Sequence, residues 1–243
     1  MELQTIRREL SEIQKGISFN EEKHVYHIGG QKVISVTQLI KKLTPKFDPH
    51  EEIVERCAFK EGLTKEQMQR KWNLKMQEAS AKGTRIHLAA EYVALNLDKQ
   101  IHLPEEDSSY LKSIYGFFAE MTSSGSSILF PEAILYSAEH RIAGTVDLLA
   151  WNHDTKRIDI YDYKTNEKLI GDDYGEKMLE PISNLPNTKL SKYSLQMSIY
   201  AMLLELFGYL AGDLYIVHLK QDSFELIKCE RFEAETELSL RDL

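Results

Sequence analysis

The chain is 243 residues long, which is enough to bury a core without disulfides or a structural metal. Its composition, 42% apolar and 28% charged, is ordinary for a globular protein, and no run of 18 apolar residues predicts a membrane helix. The first residues, MELQTIRRELSEIQKG, lack the apolar stretch of a secretory or transit peptide. Only two cysteines are present, Cys57 and Cys229, which excludes an all-cysteine zinc site or iron–sulfur cluster and suggests a reducing compartment.

The net charge of −8 is distributed unevenly along the chain. Residues 1–100 hold 17 Lys and Arg against 14 Asp and Glu, whereas residues 101–243 hold 13 against 24. The segment 41–85 alone has 11 basic and 7 acidic residues. A basic region beside an acidic one fits an enzyme that gathers metal cations and contacts a polyanion. Charge alone is equally compatible with an ordinary solvated surface.

Helical spacing of apolar residues dominates the first half of the chain, and strand-like alternation dominates the second. The predicted helices cover residues 2–15, 36–43, 50–98 with a break near Gly62, 108–122 and 191–208. The predicted strands cover residues 24–28, 32–34, 128–136, 141–151, 157–164, 213–219 and 223–231. Ser35 is the predicted N-cap of the second helix, and Pro45 and Pro49 mark a loop. Residues 166–190 show no period, which predicts a long loop of the kind that is often functional or mobile.

This order predicts an α/β fold in a single domain of residues 1–243. Residues 1–123 would supply a small β-hairpin and a helical lobe. Residues 124–243 would form the α/β core, a mixed β-sheet flanked by helices.

The densest polar signal is the strand segment 160–165. Asp162 and Lys164 are two residues apart, so their side chains leave the same face of the strand. Alone, this pair would fit a surface ion pair. Asp147 interrupts an otherwise apolar strand, however, and a buried carboxylate is costly unless it is paired or binds a metal. Glu132 lies in a third strand-like run, and three carboxylates with a lysine on adjacent strands predict a site for Mg²⁺ or Mn²⁺.

Five short motifs connect these strands to the helices around them. They are Gly83-Thr84-Arg85-Ile86-His87, Glu132, Gly144-Thr145-Val146-Asp147, Asp162-Tyr163-Lys164-Thr165 and Gln196-Met197-Ser198-Ile199-Tyr200. In this order and on these predicted elements, the chain from about residue 80 to 220 resembles the PD-(D/E)XK nuclease superfamily in its RecB-type branch. Residues 33–37 also resemble, less specifically, the Ser-Val-Thr stretch of phage-type and mitochondrial genome maintenance single-strand exonucleases. Two departures, Val146 in place of proline and Asp162 in place of glutamate, are usual in this branch.

The resemblance implies a restriction-endonuclease-like fold and a role for each core motif. Asp147 and Asp162 would hold the metal, together with the backbone carbonyl of Tyr163 and a ring nitrogen of His87. Because imidazole suits Mn²⁺ better than Mg²⁺, Mn²⁺ is expected to work at least as well. Lys164 would orient or deprotonate the attacking water, or stabilise charge on the phosphate.

The accessory residues have both functional and structural interpretations. Glu132 would bind a second metal or its waters. Gln196 would position the lysine or the scissile phosphate, with a helix–sheet hydrogen bond as the alternative. Arg85, Tyr200 and Thr165 are candidate substrate contacts, although a solvated basic face suits Arg85 as well and a structural role suits Tyr200.

The histidines divide into one candidate ligand and seven ordinary residues. His87 and Glu91 are four residues apart and share a helix face, so a surface hydrogen bond is the alternative interpretation for this pair. No ligand pattern is evident for the remaining histidines, which are His24, His27, His50, His102, His140, His153 and His218.

The implied function is a metal-dependent deoxyribonuclease that hydrolyses phosphodiester bonds. Residues 36–123, as a lobe over the active site, and the loop at 166–190 are expected to form an arch that favours an exonuclease on single-stranded DNA ends. An endonuclease on structured or duplex DNA and a catalytically inactive DNA-binding module stay open. The intact acidic and lysine positions argue against the inactive module. The expected setting is the cytoplasm of a bacterium or phage-infected cell, in DNA repair, replication or recombination, with a replication or recombination protein as a further expected partner.

Overall fold

The protein has an α/β structure in which helices flank one eight-stranded mixed sheet, as the sequence predicts. The computed structural model describes residues 3–46, 51–171 and 175–241. The helices are α1 (Leu3–Gln14), α2 (Val36–Lys42), α3 (Glu51–Glu61), α4 (Lys65–Ala94), α5 (Tyr110–Ser123), α6 (Lys189–Leu206) and α7 (Glu233–Leu240). The strands are β1 (Ile17–Asn20), β2 (Val25–Ile28), β3 (Gln31–Ser35), β4 (Ser126–Ser137), β5 (Ile142–Asn152), β6 (Arg157–Lys164), β7 (Ala211–Lys220) and β8 (Ser223–Lys228).

The strand order is β1-β2-β3-β5-β6-β7-β8, and β4 pairs with the other edge of β5. The pairs β3–β5 and β6–β7 are parallel, and the other neighbours are antiparallel. β5 bonds to β3 at Ile142 and Ala143 and to β6 only from Leu148 onward. Because the last β5–β6 pair is Leu148 with Tyr161, the two strands separate at the next positions, which are Asp147 and Asp162.

Alternation along the strands divides the core between the two faces of the sheet. Ile158 and Ile160 of β6 pack with the helices α1, α2, α6 and α7 on one face. Tyr161 and Tyr163 pack with α4 and α5 on the other. Asp162 therefore points to the α6 face, and α4 approaches the same end of the strand from the opposite side.

Most predicted elements are confirmed, including the Ser35 cap and the helix break at Gly62, where φ is +66°. The Ser35 hydroxyl accepts from the Gln38 N–H, and the Gln38 side chain accepts from the Ser35 N–H. Two elements were not predicted, β1 and α7. β1 has only four residues, and Leu240 is the one apolar residue among the three that α7 buries, so neither has a clear apolar period. The last strand ends at Lys228, three residues earlier than predicted.

The long segment after β6 contains no helix or strand among its described residues, as predicted. It is nevertheless anchored, because Met178, Ile182 and Leu185 are buried in the core. The Leu179 N–H also donates to the Leu43 carbonyl at the end of α2, at 2.8 Å. The expectation of an arch falls partly on residues 172–174, which lie outside the described residues, as do residues 47–50 of the loop predicted around Pro49.

Residues 1–123 contribute β1, β2 and β3 to the same sheet as the strands of residues 124–243. The description of the chain as one nuclease domain stays a prediction. None of the helices within the described residues is both long and apolar enough to cross a membrane.

Candidate active site

A cavity of about 590 Å³ lies where β5 and β6 separate. We call it the acidic cavity, because five carboxylates line it and Lys164 is the one lysine or arginine among its described lining residues. The carboxylates belong to Glu21, Glu91, Glu132, Asp147 and Asp162. Other predicted site residues on its wall are His87, Gln196 and Tyr200.

Asp147 is held at the point where the strand ladder stops. Its Oδ2 accepts a hydrogen bond from the Tyr163 backbone N–H at 2.6 Å, so the side chain replaces a strand carbonyl as the acceptor. His87 Nδ1, from α4, lies 3.5 Å from Asp147 Oδ1. Burial alone would raise the pKa of Asp147, but the neighbouring charges of His87 and Lys164 outweigh it and hold the pKa below its ordinary value.

The contact with Asp147 also changes the pKa of His87. Burial lowers the pKa of its imidazole, and the Asp147 carboxylate more than reverses that, so the pKa lies above the ordinary value. The ring also packs edge-on against Tyr163, with centroids 5.6 Å apart. Geometry and charge thus fix this imidazole beside the carboxylates.

Asp162 is bonded on both of its oxygens. Lys164 Nζ donates to Oδ2, and Gln196 Nε2 donates to Oδ1 at 3.0 Å. The same Gln196 amide donates to the Tyr200 hydroxyl at 3.1 Å, so one turn of α6 positions the acid. Burial lowers the pKa of Lys164. The charges of Asp162 and Asp147 raise it by more than burial lowers it, so the pKa lies above its ordinary value and the side chain is an ammonium here.

Glu132 faces Asp147 across the β4–β5 ladder, between the pairs Pro131–Leu148 and Ala133–Val146. Its backbone has a φ of +48°, a left-handed conformation that an ordinary residue adopts at a cost of about 1 kcal/mol or more. Burial, followed by the charges of Asp147 and Glu91, raises the pKa of Glu132 to about 8. Strained backbone thus brings a third carboxylate into a space already crowded with negative charge.

Carboxylate oxygens and one imidazole suit Mg²⁺ or Mn²⁺. Within the described residues, no three His, Cys, Asp or Glu side chains are gathered closely enough to hold a metal as they stand. Asp162 is instead bonded to Lys164, and Asp147 to Tyr163 and His87. The crowding that raises the pKa of Glu132 is what a bound cation would relieve, so the residues fit a divalent ion in charge and donor type.

Gly144 is required for this packing. A Cβ added there would lie 2.7 Å from Tyr200 Cε1 and 2.9 Å from Val36 Cγ2. The glycine of the Gly-Thr-Val-Asp motif therefore lets α6 approach β5 closely enough for Tyr200 and Gln196 to reach the carboxylates.

Two predicted residues, Arg85 and Thr165, are not among the cavity lining, and Tyr163 was predicted to contribute only its backbone. The Nε of Arg85 donates at 2.9 Å to the buried Asp107. Thr165 is also outside the cavity lining, and its Oγ1 lies near Gly83 of α4. The Tyr163 ring is buried among the aromatic residues beneath α5, so only its backbone can reach the site.

Part of the cavity wall was not predicted. The β1–β2 hairpin contributes Phe19, Glu21, His24 and Tyr26, although His24 was interpreted as ordinary. The Tyr26 hydroxyl and Thr145 Oγ1 are hydrogen-bonded at 2.8 Å. A short hairpin carries no signal of what it will face after folding.

Ser35 and Thr37 also line the cavity. The sequence singled out residues 33–37 only through the Ser-Val-Thr resemblance, with no place in the site assigned to them. The capping bond at Ser35 fixes the start of α2, which places both hydroxyls at the cavity.

No family model and no curated protein matches the sequence. Among solved structures, one described as the crystal structure of SSO0001 aligns over 96% of this chain and 79% of that chain. The sequence identity is 13% and the TM-score is 0.32, so this similarity carries no argument about fold family or function.

Proposed function

We propose that the protein is a Mg²⁺- or Mn²⁺-dependent deoxyribonuclease of the RecB-type PD-(D/E)XK branch, with a restriction-endonuclease-like core, which degrades single-stranded DNA from an end. The observation that carries the proposal is the meeting of Glu132, Asp147 and Asp162 with Lys164 around one open cavity. The three acids come from three neighbouring strands, at the point where β6 separates from β5 while β4 stays paired with β5.

The donors for the cation are the carboxylates of Asp147 and Asp162, with the Tyr163 carbonyl and the His87 ring as further ligands. Glu132 would neutralise a second ion or bind its waters. When bound, Mg²⁺ or Mn²⁺ supplies polarisation of the phosphate and a water of lowered pKa. The protein's part is to keep these oxygens converged against their mutual repulsion.

Lys164 distinguishes this site from a simple metal cage. A cage gains nothing from a cation at its edge, whereas a phosphodiester transition state gains from an ammonium that stabilises its extra charge. The position of Lys164, which donates to Asp162 Oδ2 among the carboxylates, suits this electrostatic role. Gln196 Nε2 keeps Asp162 oriented through the 3.0 Å bond, and the same nitrogen also donates to the Tyr200 hydroxyl.

The preference for a single-stranded end rests on the surroundings of the cavity. α4 brings Gly83, Thr84, His87 and Leu88 to its wall, and the β1–β2 hairpin brings Phe19 and Tyr26. A cavity walled by a helix on one side and a hairpin on the other suits one strand better than a duplex.

Degradation of 5′- and 3′-labelled linear single-stranded DNA, with a circular single strand as control, tests the proposal. Reactions contain Mg²⁺, Mn²⁺ or EDTA, and use wild type and Lys164→Ala. We expect metal-dependent loss of the linear strand alone, abolished by the substitution. Loss of the circle would make the protein an endonuclease. Binding without cleavage in either metal would overturn the nuclease proposal in favour of a DNA-binding module.

A further inference from the structure

Two further cavities continue from the acidic cavity. One of about 350 Å³ shares Thr37 and Gln196 with it. The other, of about 730 Å³, shares Lys41 and Thr44 with the smaller one. The three cavities therefore lie next to one another, in a row from the carboxylates along α2. We call the two outer cavities the lysine track, after the residues Lys32, Lys41, Lys42, Lys46, Lys189 and Lys192 on their walls.

The charge of the track is opposite to that of the acidic cavity. Among the described residues, no Asp or Glu lines either of its cavities. Lys32, Lys41, Lys42 and Lys46 are exposed, and no described carboxylate forms an ion pair with any of them. Such a group of uncompensated ammonium ions attracts a polyanion.

The two lysines of α6 extend this pattern toward the site. Lys189 donates to the Lys168 carbonyl at 2.7 Å, and Lys192 donates to Asn187 Oδ1 at 3.1 Å. The acceptors of these two bonds, a backbone carbonyl and an amide oxygen, are neutral. Both side chains line the smaller cavity, which adjoins the acidic one.

The floor of the track is apolar. Val33, Ile34 and Leu179 line the outer cavity, and 44% of the Leu179 surface is exposed. Tyr193 lines the smaller one, and its ring centroid lies 4.9 Å from Lys164 Nζ. Cationic walls over an apolar floor suit a single strand, whose bases are free to contact apolar surface while its phosphates bind lysines. The bases of a duplex are stacked and paired, so it cannot use such a floor.

We propose that the lysine track binds the single-stranded polynucleotide adjoining the scissile phosphate, with its phosphates on the six lysines and a base on Tyr193. The inference rests on the proposed function in one respect: it takes the acidic cavity as the reaction centre toward which the bound strand runs. Binding itself is a separate property and can be measured without cleavage.

The test is fluorescence anisotropy with a labelled 20-nucleotide oligo(dT) in EDTA, over a range of salt concentrations. The track variant is Lys41→Gln/Lys42→Gln/Lys46→Gln. The matched control is Lys15→Gln/Lys99→Gln/Lys112→Gln, which removes the same charge from exposed lysines on other elements. Circular dichroism checks the folding of each. The single variants Lys42→Gln and Lys46→Gln replace the triple one if it does not fold.

We expect the Kd of the track variant to rise about tenfold at 0.1 M salt, and the slope of log Kd against log salt to fall by about 2, since three phosphate contacts are lost. The control variant should bind like wild type. Equal binding by the track variant, an equal loss in the control, or equal competition by duplex DNA or polyglutamate would overturn the proposal.

The proposed function is tested separately, with the wild-type protein alone. Hydrolysis of the p-nitrophenyl ester of thymidine 5′-monophosphate needs only the acidic cavity. If the wild type hydrolyses the ester and the track variant binds the strand as wild type does, the proposal for the lysine track is wrong and the proposed nuclease function is supported. If the wild type hydrolyses neither the ester nor DNA and the track variant no longer binds the strand, the proposed nuclease function is wrong and the proposal for the lysine track is supported.

Discussion

The acidic cavity and the lysine track are neighbours with opposite charge. They share Thr37 and Gln196, yet five carboxylates line the first, and no described carboxylate lines the second. A net charge of −8 describes neither region. The comparison teaches that the charge of each region differs from the net charge of the chain. Under the two proposals, the acids would hold a cation and the lysines would bind a phosphate chain.

The two regions also differ in how they hold their charges. The acids at the centre of the cavity are buried, and Asp162 and Asp147 are fixed by hydrogen bonds from Lys164, Gln196 and Tyr163. Such contacts are little affected by salt. The exposed lysines of the track are screened by salt. Substitutions in the cavity should therefore change chemistry and folding, and those in the track should change salt-dependent binding.

The largest effect is expected from Lys164→Ala. Removal of one group that stabilises developing charge typically slows a reaction about 10²–10³-fold. We expect a loss of that size in single-turnover cleavage of linear single-stranded DNA. Lys168→Ala, four residues along, is the control. If Lys164→Ala cleaves at a rate within threefold of wild type, Lys164 does not take part in the cleavage reaction.

The next effect concerns packing around the cavity. Gly144→Ala places a Cβ 2.7 Å from the Tyr200 ring, and such overpacking costs about 1–3 kcal/mol. Gly83→Ala is the matched control, because its Cβ would lie an ordinary 3.5 Å from Thr165 Oγ1 and alanine favours the helix. Urea unfolding should rank Gly83→Ala at or above wild type and Gly144→Ala below it. The reverse order would contradict the described packing.

A smaller effect is expected from Glu132→Gln, with opposite signs for folding and cation binding. The pKa of Glu132 is raised to about 8, so the folded state binds more protons than the unfolded state between about pH 4.3 and pH 8. In EDTA, wild-type stability should therefore fall as pH rises through this window. Glu132→Gln should flatten that fall and raise stability at pH 8 by roughly 1–3 kcal/mol.

The same substitution should weaken Mn²⁺ binding, because it removes an anionic oxygen. The expected loss is about tenfold in affinity, measured by titration calorimetry. Glu237→Gln, a surface acid on α7, serves as the control. Tighter Mn²⁺ binding in Glu132→Gln would show that this carboxylate does not help to hold the cation.

The smallest effect should be that of Tyr193→Phe, with Tyr193→Ala for comparison. The ring is retained in phenylalanine, so strand binding should stay within about twofold of wild type. Alanine should lose about fivefold or more, since one base–aromatic stack contributes roughly 1–3 kcal/mol. Equal binding by both variants in the anisotropy assay would show that no base stacks on the Tyr193 ring.

The sequence predicts the centre of the site better than its walls. Asp147 stands out because a carboxylate in an apolar strand needs a reason, and Asp162 and Lys164 share a face by simple alternation. The Gln196–Tyr200 spacing likewise becomes the Asp162–Gln196–Tyr200 hydrogen-bond chain. Alternation and the apolar surroundings are enough to single out the strand residues, whereas Gln196 and Tyr200 were singled out through the resemblance to the nuclease motif.

Other features depend on contacts between distant parts of the chain. Arg85 is bonded to Asp107, 22 residues away, and no local pattern connects them. The turn that brings His24 to the cavity is placed by the pairing of β3 with β5, more than 100 residues later. The lysines of the track come from β3, the α2 region and α6, and only the fold brings them together.

The central claim is that a divalent cation binds among the carboxylates of the acidic cavity. A crystal of the wild-type protein grown with Mn²⁺, with diffraction data collected at the manganese edge, tests it most directly. The account predicts an anomalous peak about 2.1 Å from oxygens of Asp147 and Asp162, on the side that faces Glu132. The absence of a peak there, at a Mn²⁺ concentration that supports DNA cleavage, would contradict it.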